Sequence, residues 1–204
     1  MYNFKASDLS IKEQNKILIG AIGPRPIALV VSQSADEIIN LAPFSYFNIV
    51  SYKPAILSVS VQRVNGEMKD TARNTLNNGE AVVHIVDEDN VEQVNLTSGS
   101  YASDDSELNH ADFTTEDSQT INVPGIKEAK VKFETKLYNH TVIFDGDVPT
   151  ADLLLLSVQH YSLSEQIFDR TTGYIDSSAL RAVGRLAGSD YAKIGEFFSI
   201  KRPE

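Results

Sequence analysis

The sequence contains no cysteine in its 204 residues. Disulfide bonds, thiolate metal ligands and cysteine nucleophiles are therefore excluded. Its histidines, at positions 84, 110, 140 and 160, show no spacing typical of a metal site. We therefore expect no bound metal and predict ordinary structural roles for these side chains. A cysteine-free composition fits a reducing compartment, so we expect a cytoplasmic protein.

Positive charge and long apolar runs are also scarce. Lys and Arg number 18 and Asp and Glu number 28, which gives a formal net charge of -10. Nucleic-acid-binding proteins usually present a basic face, so we expect no nucleic-acid partner, although one local basic pocket for a small anion is compatible with this charge. Purely aliphatic runs such as Leu153 to Leu156 are far shorter than the ~20 residues of a membrane span. The N-terminal segment lacks a signal-peptide pattern, and we expect no membrane partner.

Two common nucleotide-binding motifs are missing, since the chain has neither G-x-G-x-x-G nor G-x-x-x-x-G-K-[ST]. Internal repeats and low-complexity linkers are missing too. The length and the even composition predict a single domain over residues 1–204.

The first half of the chain alternates helix and strand signals. Residues 7–18 predict a short helix that begins at Ser7 or Asp8, and residues 24–33 predict a β-branched strand. Residues 54–63 form the clearest strand pattern. Two faces alternate there, with Leu57, Val59 and Val61 on one and Ile56, Ser58, Ser60 and Gln62 on the other.

The remaining signals complete a mainly β pattern. Asn65-Gly66 predicts a tight turn, and residues 69–79 predict a helix capped by Asp70 or Thr71 and ended by Gly79. The other predictions are a strand at 80–86, a short helix at 87–98, a polar excursion at 99–125, two or three long strands within 130–163 around the Asp145-Gly146 turn, and short loops from 176. We expect an antiparallel barrel or sheet with short helices packed outside it.

The stretch "NLAPFSYFN", residues 40–48, combines apolar walls with a few polar groups. Proline cannot donate a hydrogen bond to a sheet ladder. We predict that Pro43 breaks the ladder here, so that backbone groups face a ligand. A flat, amphipathic heterocycle suits such a site, because apolar side chains can contact its ring and polar groups can hydrogen-bond to its edge.

A second candidate site follows the strand at 54–63. This strand ends in Arg63, and after the turn Lys69, Asp70 and Thr71 open the predicted helix. Helix N-terminal amides and the helix dipole favour an anion, and Lys and Arg supply charge, so the segment predicts a phosphate cradle. The alternative is that Asp70 and Thr71 only cap the helix and that Lys69 is only a solvated charge. The acidic stretches "DEDN", "SDDSE" and "TTEDS" predict solvated caps and loops.

The segments "RPIALV", "NLAPFSYFNIVSYKPAILSVSV", "KDTARN", "VEQVNLTS" and "GRLAGSDYA" together resemble the flavin reductase-like family of FMN-binding split barrels. The resemblance covers roughly residues 20–195. It implies a split β-barrel homodimer that binds FMN non-covalently near the subunit interface. The implied activity is NAD(P)H-dependent flavin reduction, with hydride passing from the nicotinamide to the flavin.

The resemblance also implies the site residues. The flavin ring and ribityl chain are expected along Asn40, Leu41, Ala42, Pro43, Phe44 and Ser45 and beside Ser58, Val59 and Ser60. Arg63, Lys69, Asp70 and Thr71 belong to the phosphate-binding block, whereas Asn74 only braces the helix. Residues 184–191 resemble the family's closing loop near the flavin edge, with Ala187 where the family often has glycine.

Three alternatives stay open at this point. The chain could be a non-enzymatic, flavoredoxin-like FMN electron carrier, or a flavin-binding partner of an oxygenase. It could also resemble a pyridoxal-phosphate oxidase, because related barrels take other phosphorylated substrates. Oxidation of NADH or NADPH with added FMN separates a reductase from a carrier.

Overall fold

The computed structural model describes residues 1–203. Its helices and strands are, in chain order, α1 Ile11–Ala21, β1 Arg25–Pro26, β2 Ala28–Gln33, β3 Ile39–Phe44, β4 Phe47–Tyr52, β5 Ala55–Gln62, α2 Asp70–Asn78, β6 Glu80–Ile85, α3 Val91–Leu96, β7 Thr115–Glu116, β8 Gly125–Ile126, β9 Val131–Asp145, β10 Val148–Leu163, β11 Phe168–Asp169, β12 Tyr174–Ile175, α4 Ser177–Leu180, β13 Val183–Arg185 and β14 Tyr191–Lys193. Two 3₁₀ turns lie at Ala6–Asp8 and Glu107–Asn109. The predicted mainly β, antiparallel class with short helices is confirmed.

The main sheet has seven antiparallel strands in the order β3-β2-β6-β9-β10-β5-β4. Its two edge strands, β3 and β4, follow each other in the chain and are joined by Ser45 and Tyr46. The Ser60 backbone N–H donates to the Tyr46 carbonyl at 2.9 Å. This bond extends the pairing of β4 with β5 into the joint. Because only two residues connect the opposite edges, these edges lie close together and the sheet curls back on itself.

Both faces of the sheet are buried along β2. Val30 belongs to one apolar cluster, with Val59, Leu154 and Leu156. Leu29 and Val31 belong to a second cluster, which β6, α3 and the excursion 99–125 complete. Because successive side chains of a strand point to opposite faces, the near-continuous apolar run of β2 is what a strand covered on both sides requires.

The structure confirms the turn and helix that follow β5. Asn65 and Gly66 both have positive φ, at 53° and 81°, as a type I′ turn needs. The C-cap of α2, Gly79, is left-handed at φ 76°. The predicted N-cap is wrong, because α2 begins after Lys69 and no side chain caps it. The Asp70 carboxylate instead pairs with Arg73, which removes it from the helix amides.

The start of the first helix also differs from the prediction. Ser7 and Asp8 lie in the preceding 3₁₀ turn, and Ser10 is the N-cap of α1. The Ser10 N–H donates to the Glu13 carboxylate at 2.9 Å, and the Glu13 N–H donates back to the Ser10 hydroxyl at 3.3 Å. This reciprocal capping box fixes the helix start. None of the residues of α1 is buried.

Pro43 does not break the ladder, contrary to the prediction. Strand β3 runs through it to Phe44, and Pro43 lies opposite Leu29 of β2 in the antiparallel register. Strand β3 is an edge of the sheet. Proline is tolerated on an edge strand because its missing N–H can face away from the neighbouring strand.

The excursion 99–125 is fixed to the sheet by buried acceptors. Glu134 accepts from the Gln119 N–H at 2.7 Å, and Glu80 accepts from the Asn122 N–H at 2.8 Å. His84 Nε2 accepts from the Ile126 N–H at 2.9 Å, and His84 Nδ1 donates to the Leu29 carbonyl at 3.0 Å. This pair of backbone contacts confirms a structural role for His84.

Two acidic residues are not the solvated groups that the sequence predicted. Glu107, from "SDDSE", is buried and accepts from the Leu41 N–H at 2.8 Å. Asp87, from "DEDN", is buried and lies 3.4 Å from the Lys130 ammonium. Burial raises the pKa of Glu107, against the opposing effect of the Leu41 hydrogen bond. Both carboxylates serve long-range contacts that local sequence does not reveal.

Candidate functional site

A cleft of about 760 Å³ opens beside the joint between β3 and β4. Its walls are α1, the joint, the end of β5, the start of α2 and the loop 185–188. A second lobe of about 470 Å³ shares Arg25, Ser45, Tyr46 and Ser60 with it and continues past Ser58. The cleft therefore gathers segments from both ends of the chain onto the curled edge of the sheet.

The charge of the lining is unlike that of the whole chain. Four cations line the main lobe, namely Lys12, Arg25, Lys69 and Arg185. Within residues 1–203, neither lobe is lined by an Asp or Glu, and none of these four cations forms an ion pair. In a chain with net charge -10, such a lining marks the cleft as a place for an anion.

Lys69 stands at the N-terminus of α2, where the chain enters the helix in an extended conformation at φ -73° and ψ 157°. Because no side chain caps this helix of nine residues, its first amides stay open to an acceptor. The helix dipole adds partial positive charge at the same end. The Lys69 ammonium and the free amides therefore lie at the same end of α2, and neither Asp70 nor Thr71 caps the helix as the alternative interpretation predicted.

The structure brings some of the predicted residues together. Pro43, Phe44, Ser45, Ser60 and Lys69 all line the main lobe. Ser58 joins Ser45 and Ser60 in the second lobe. Apolar surface and hydroxyl groups thus lie beside one another, as the sequence predicted for a ring-binding site.

Other predicted residues do not line the cleft. Leu41 and Val59 are fully buried, and Ala42 packs against the core. The Asn40 amide donates to the hydroxyl of buried Thr71 at 2.8 Å. Asn40 and Asp70 line a separate depression of about 210 Å³. The side chains of these residues brace β3 and α2 from behind the site.

Arg63 is held away from the cleft by a buried carboxylate. Its Nε and Nη2 donate to Asp152, each at 2.8 Å, and its Nη1 donates to the Gly66 carbonyl at 3.0 Å. His140 Nε2 lies 2.9 Å from the same carboxylate. Burial acts to raise the pKa of Asp152, but the bonds from Arg63 and His140 hold that pKa below its usual value. Arg63 therefore shapes the turn that leads to Lys69.

Sequence reasoning missed the side chains that tie the walls together. The Tyr46 hydroxyl donates to the Asn15 side chain at 3.1 Å, which links the joint to α1. Arg25 donates to carbonyls of α1 and of the loop 185–188. The sequence does contain a signal for Arg25, because "PRP" places one charged residue at the start of an apolar strand. The guanidinium of Arg185 lies 4.4 Å from the centre of the Tyr191 ring, within the segment expected near the ligand.

Neither a cluster of metal-ligating side chains nor a membrane-spanning helix is found among the described residues. Among residues 1–203, no three His, Asp or Glu side chains are grouped to hold a metal ion. No helix in that part of the chain is both long enough and apolar enough to cross a membrane.

Comparison with known proteins identifies a matching family, a similar bacterial protein and a similar crystal structure. A model of the family described as "Flavin reductase like domain" matches residues 21–182. YwrF of Bacillus subtilis, a protein described as uncharacterized, is 47% identical over 205 residues, which are 100% of both chains. The crystal structure of nitrilotriacetate monooxygenase component B from Bacillus cereus is 40% identical, covers 98% of each chain and superposes with a TM-score of 0.95.

A more distant structure shows the fold alone. A Shewanella frigidimarina protein with a split barrel domain is 18% identical, covers 100% of each chain and has a TM-score of 0.85. The chain therefore belongs to the flavin reductase like domain family, and its curled antiparallel sheet is the split β-barrel of that family.

Proposed function

We propose that the cleft binds FMN non-covalently and that the protein uses NAD(P)H to reduce it. The observation that carries this proposal is the cationic lining of the cleft in an acidic chain. A flavin mononucleotide combines an apolar ring with a phosphate dianion. The cleft offers a surface for each.

The residues present fit these two parts of the ligand. Lys69 and the free amides of α2 suit the phosphate, because charged hydrogen bonds to phosphate are short and strong. Pro43 and Phe44 give apolar contact, and Ser45 and Ser60 give hydrogen-bonding groups for the polar edge of a ring. Such a mixture of apolar walls and a few fixed polar groups is typical of cofactor sites.

When bound, FMN supplies the hydride chemistry, and the protein supplies binding, orientation and electrostatics. Within the described chain, no carboxylate or histidine lines either lobe. In this proposal the chain's own residues therefore hold the ring, bind the phosphate and exclude water from the cleft. NAD(P)H is a second substrate of this site in the proposal.

A partner oxygenase is a second element of the proposal. The chain is 40% identical to nitrilotriacetate monooxygenase component B over 98% of its length. This likeness favours delivery of reduced flavin to an oxygenase over a purely electron-carrying role.

We also propose that the protein acts as a cytoplasmic homodimer.

The test begins with the ligand itself. Mass spectrometry of whatever the purified protein releases on denaturation should detect FMN. Addition of FMN to ligand-free protein should accelerate the oxidation of NADH or NADPH. Protein that binds FMN but oxidises neither nucleotide would support the electron carrier, and protein that binds no flavin would refute the whole proposal.

A further inference from the structure

The guanidinium of Arg25 is a buried cation with no anionic partner. The residue is only 8% exposed, and it forms no ion pair with any described carboxylate. Its Nη1 donates to the carbonyls of Ile19 and Ile22 at 2.8 and 2.6 Å, and its Nη2 donates to the Leu186 carbonyl at 2.9 Å. Carbonyl groups accept hydrogen bonds but bring no net charge, so the positive charge stays uncompensated.

One donor of the same group has no acceptor. Arg25 Nε is buried and finds no hydrogen-bond partner in residues 1–203. Buried donors are nearly always paired, and an exception needs an explanation. A buried charge without a counter-ion is more costly still. The two observations together indicate that an acceptor with negative charge belongs near Arg25.

The position of Arg25 says where this acceptor lies. Arg25 lines both lobes of the cleft, together with Ser45, Tyr46 and Ser60. Ser45 and Ser60 are among the residues to which the proposed function assigns the flavin ring. Lys69, at the start of α2, is assigned to the phosphate.

The surroundings of Arg25 are rigid. Arg25 pairs with Arg185 in the antiparallel register of β1 and β13, and Gly184 pairs with Pro26. A Cβ on Gly184 would lie 2.5 Å from the Pro24 Cβ, so the two segments touch too closely for any other residue. The charge is therefore held in place before a ligand arrives, which is the condition for effective electrostatic stabilisation.

We propose that Arg25 is the counter-cation for negative charge on the ring of a reduced flavin, so that the site binds reduced FMN more tightly than oxidised FMN. The proposal depends on the proposed function. In hydride transfer, two electrons and one proton move to the neutral ring and oxidised nicotinamide leaves. The ring then carries one negative charge, unless it takes a second proton from water.

The other cations of the cleft suit this role less well. Lys12 and Lys69 are exposed, and water and salt screen exposed charges. Arg185 donates to the Gly188 carbonyl and faces the Tyr191 ring. Only the charge of Arg25 acts on the cleft from a buried position, where the effective dielectric constant is lower.

The experiment compares Arg25→Met with Arg25→Lys. Dissociation constants are measured for oxidised FMN and, without oxygen, for dithionite-reduced FMN. In Arg25→Met the preference for reduced FMN should fall about tenfold, which equals a drop of about 30 mV in the potential of a two-electron couple. Arg25→Lys keeps the charge and should keep most of the preference. Lys16→Met, which removes an exposed cation outside the cleft lining, is the matched control and should change nothing.

A measurement on the unchanged protein guards against misfolded variants. In mildly acidic buffer, a buried cation beside the ring opposes uptake of the second proton. The potential of bound FMN should therefore depend less steeply on pH than that of free FMN in the same buffer. Equal slopes, or equal losses of both affinities in Arg25→Met, would overturn the proposal and leave Arg25 as a link between walls. Failure of the unchanged protein to bind FMN in either state would instead refute the proposed function.

Discussion

At the scale of single residues, Lys69 is the most direct test of the phosphate site. A charged hydrogen bond is worth about 1.5–3 kcal/mol, so Lys69→Ala should weaken FMN binding about ten- to a hundredfold. Riboflavin has no phosphate, and its affinity should barely change. Fluorescence titrations with both ligands measure the ratio, and Lys127→Ala, at an exposed position outside the cleft, is the control. Equal losses for FMN and riboflavin would show that Lys69 only supports the fold.

Unlike Lys69→Ala, the variant Arg63→Ala should not distinguish FMN from riboflavin. Its guanidinium is bound to Asp152 and to the Gly66 carbonyl. Arg63→Ala leaves a buried carboxylate with one partner fewer, so the temperature of unfolding should fall. Affinities for FMN and riboflavin should change in parallel, because the effect reaches the site through the turn before Lys69. A selective loss of FMN binding in this variant would assign Arg63 to the phosphate after all.

His84 makes folding stability depend on pH. Burial lowers its pKa to about 4, from an ordinary value of 6.5. Between these two values the unfolded chain binds a proton that the folded chain does not, so stability falls as the pH falls. The full loss, reached near pH 4, corresponds to about 3 kcal/mol. Urea unfolding across this range should show a steeper decline for the unchanged protein than for His84→Gln, and parallel curves would contradict the assignment.

At the scale of elements, we expect α1 to be the cleft wall whose stability depends most on the bound ligand. It has 11 residues, none of them buried, and isolated helices of this length are marginal in water. We expect its amides to exchange hydrogen quickly without FMN and more slowly with FMN, as hydrogen-exchange mass spectrometry can measure. Ser10→Ala removes the capping box and should weaken FMN binding without lowering the unfolding temperature. Ser7→Ala, in the preceding turn, should do neither, and α1 amides protected without ligand would contradict this view.

The element scale also shows what the sequence could predict. The sequence could place Pro43, Ser45, Ser60 and Lys69 in one candidate site, and they do line the cleft, because strand ends, tight turns and helix starts leave local signals. Contacts between distant segments leave no local signal that identifies both partners. Arg63 and Asp152 are 89 residues apart, and Arg25 and Leu186 are 161 residues apart. The tolerance of Pro43 depends on strand order, which periodicity alone does not determine.

At the scale of the whole molecule, the edge strand β4 predicts a dimer. Ile49 and Tyr52 are 72% and 91% exposed, and they line an apolar groove of about 400 Å³ that continues to Phe133 and Tyr161. Exposed apolar patches of this kind usually mark an interface, and an open edge strand favours pairing. Light scattering at micromolar concentration should show two chains per particle. The double variant Ile49→Lys with Tyr52→Lys should be monomeric, whereas Tyr174→Lys, at an exposed position in β12, should not. A monomer that binds FMN normally would contradict the prediction.

The two ends of the chain line the cleft without belonging to the main sheet. The family match covers residues 21–182, whereas most of α1 and the loop 185–188 lie outside it and still form two walls of the cleft. Exposed positions such as those of α1 tolerate substitution at little cost in stability. Substitutions in these two walls can therefore change what enters the cleft at little cost to the stability of the barrel beneath.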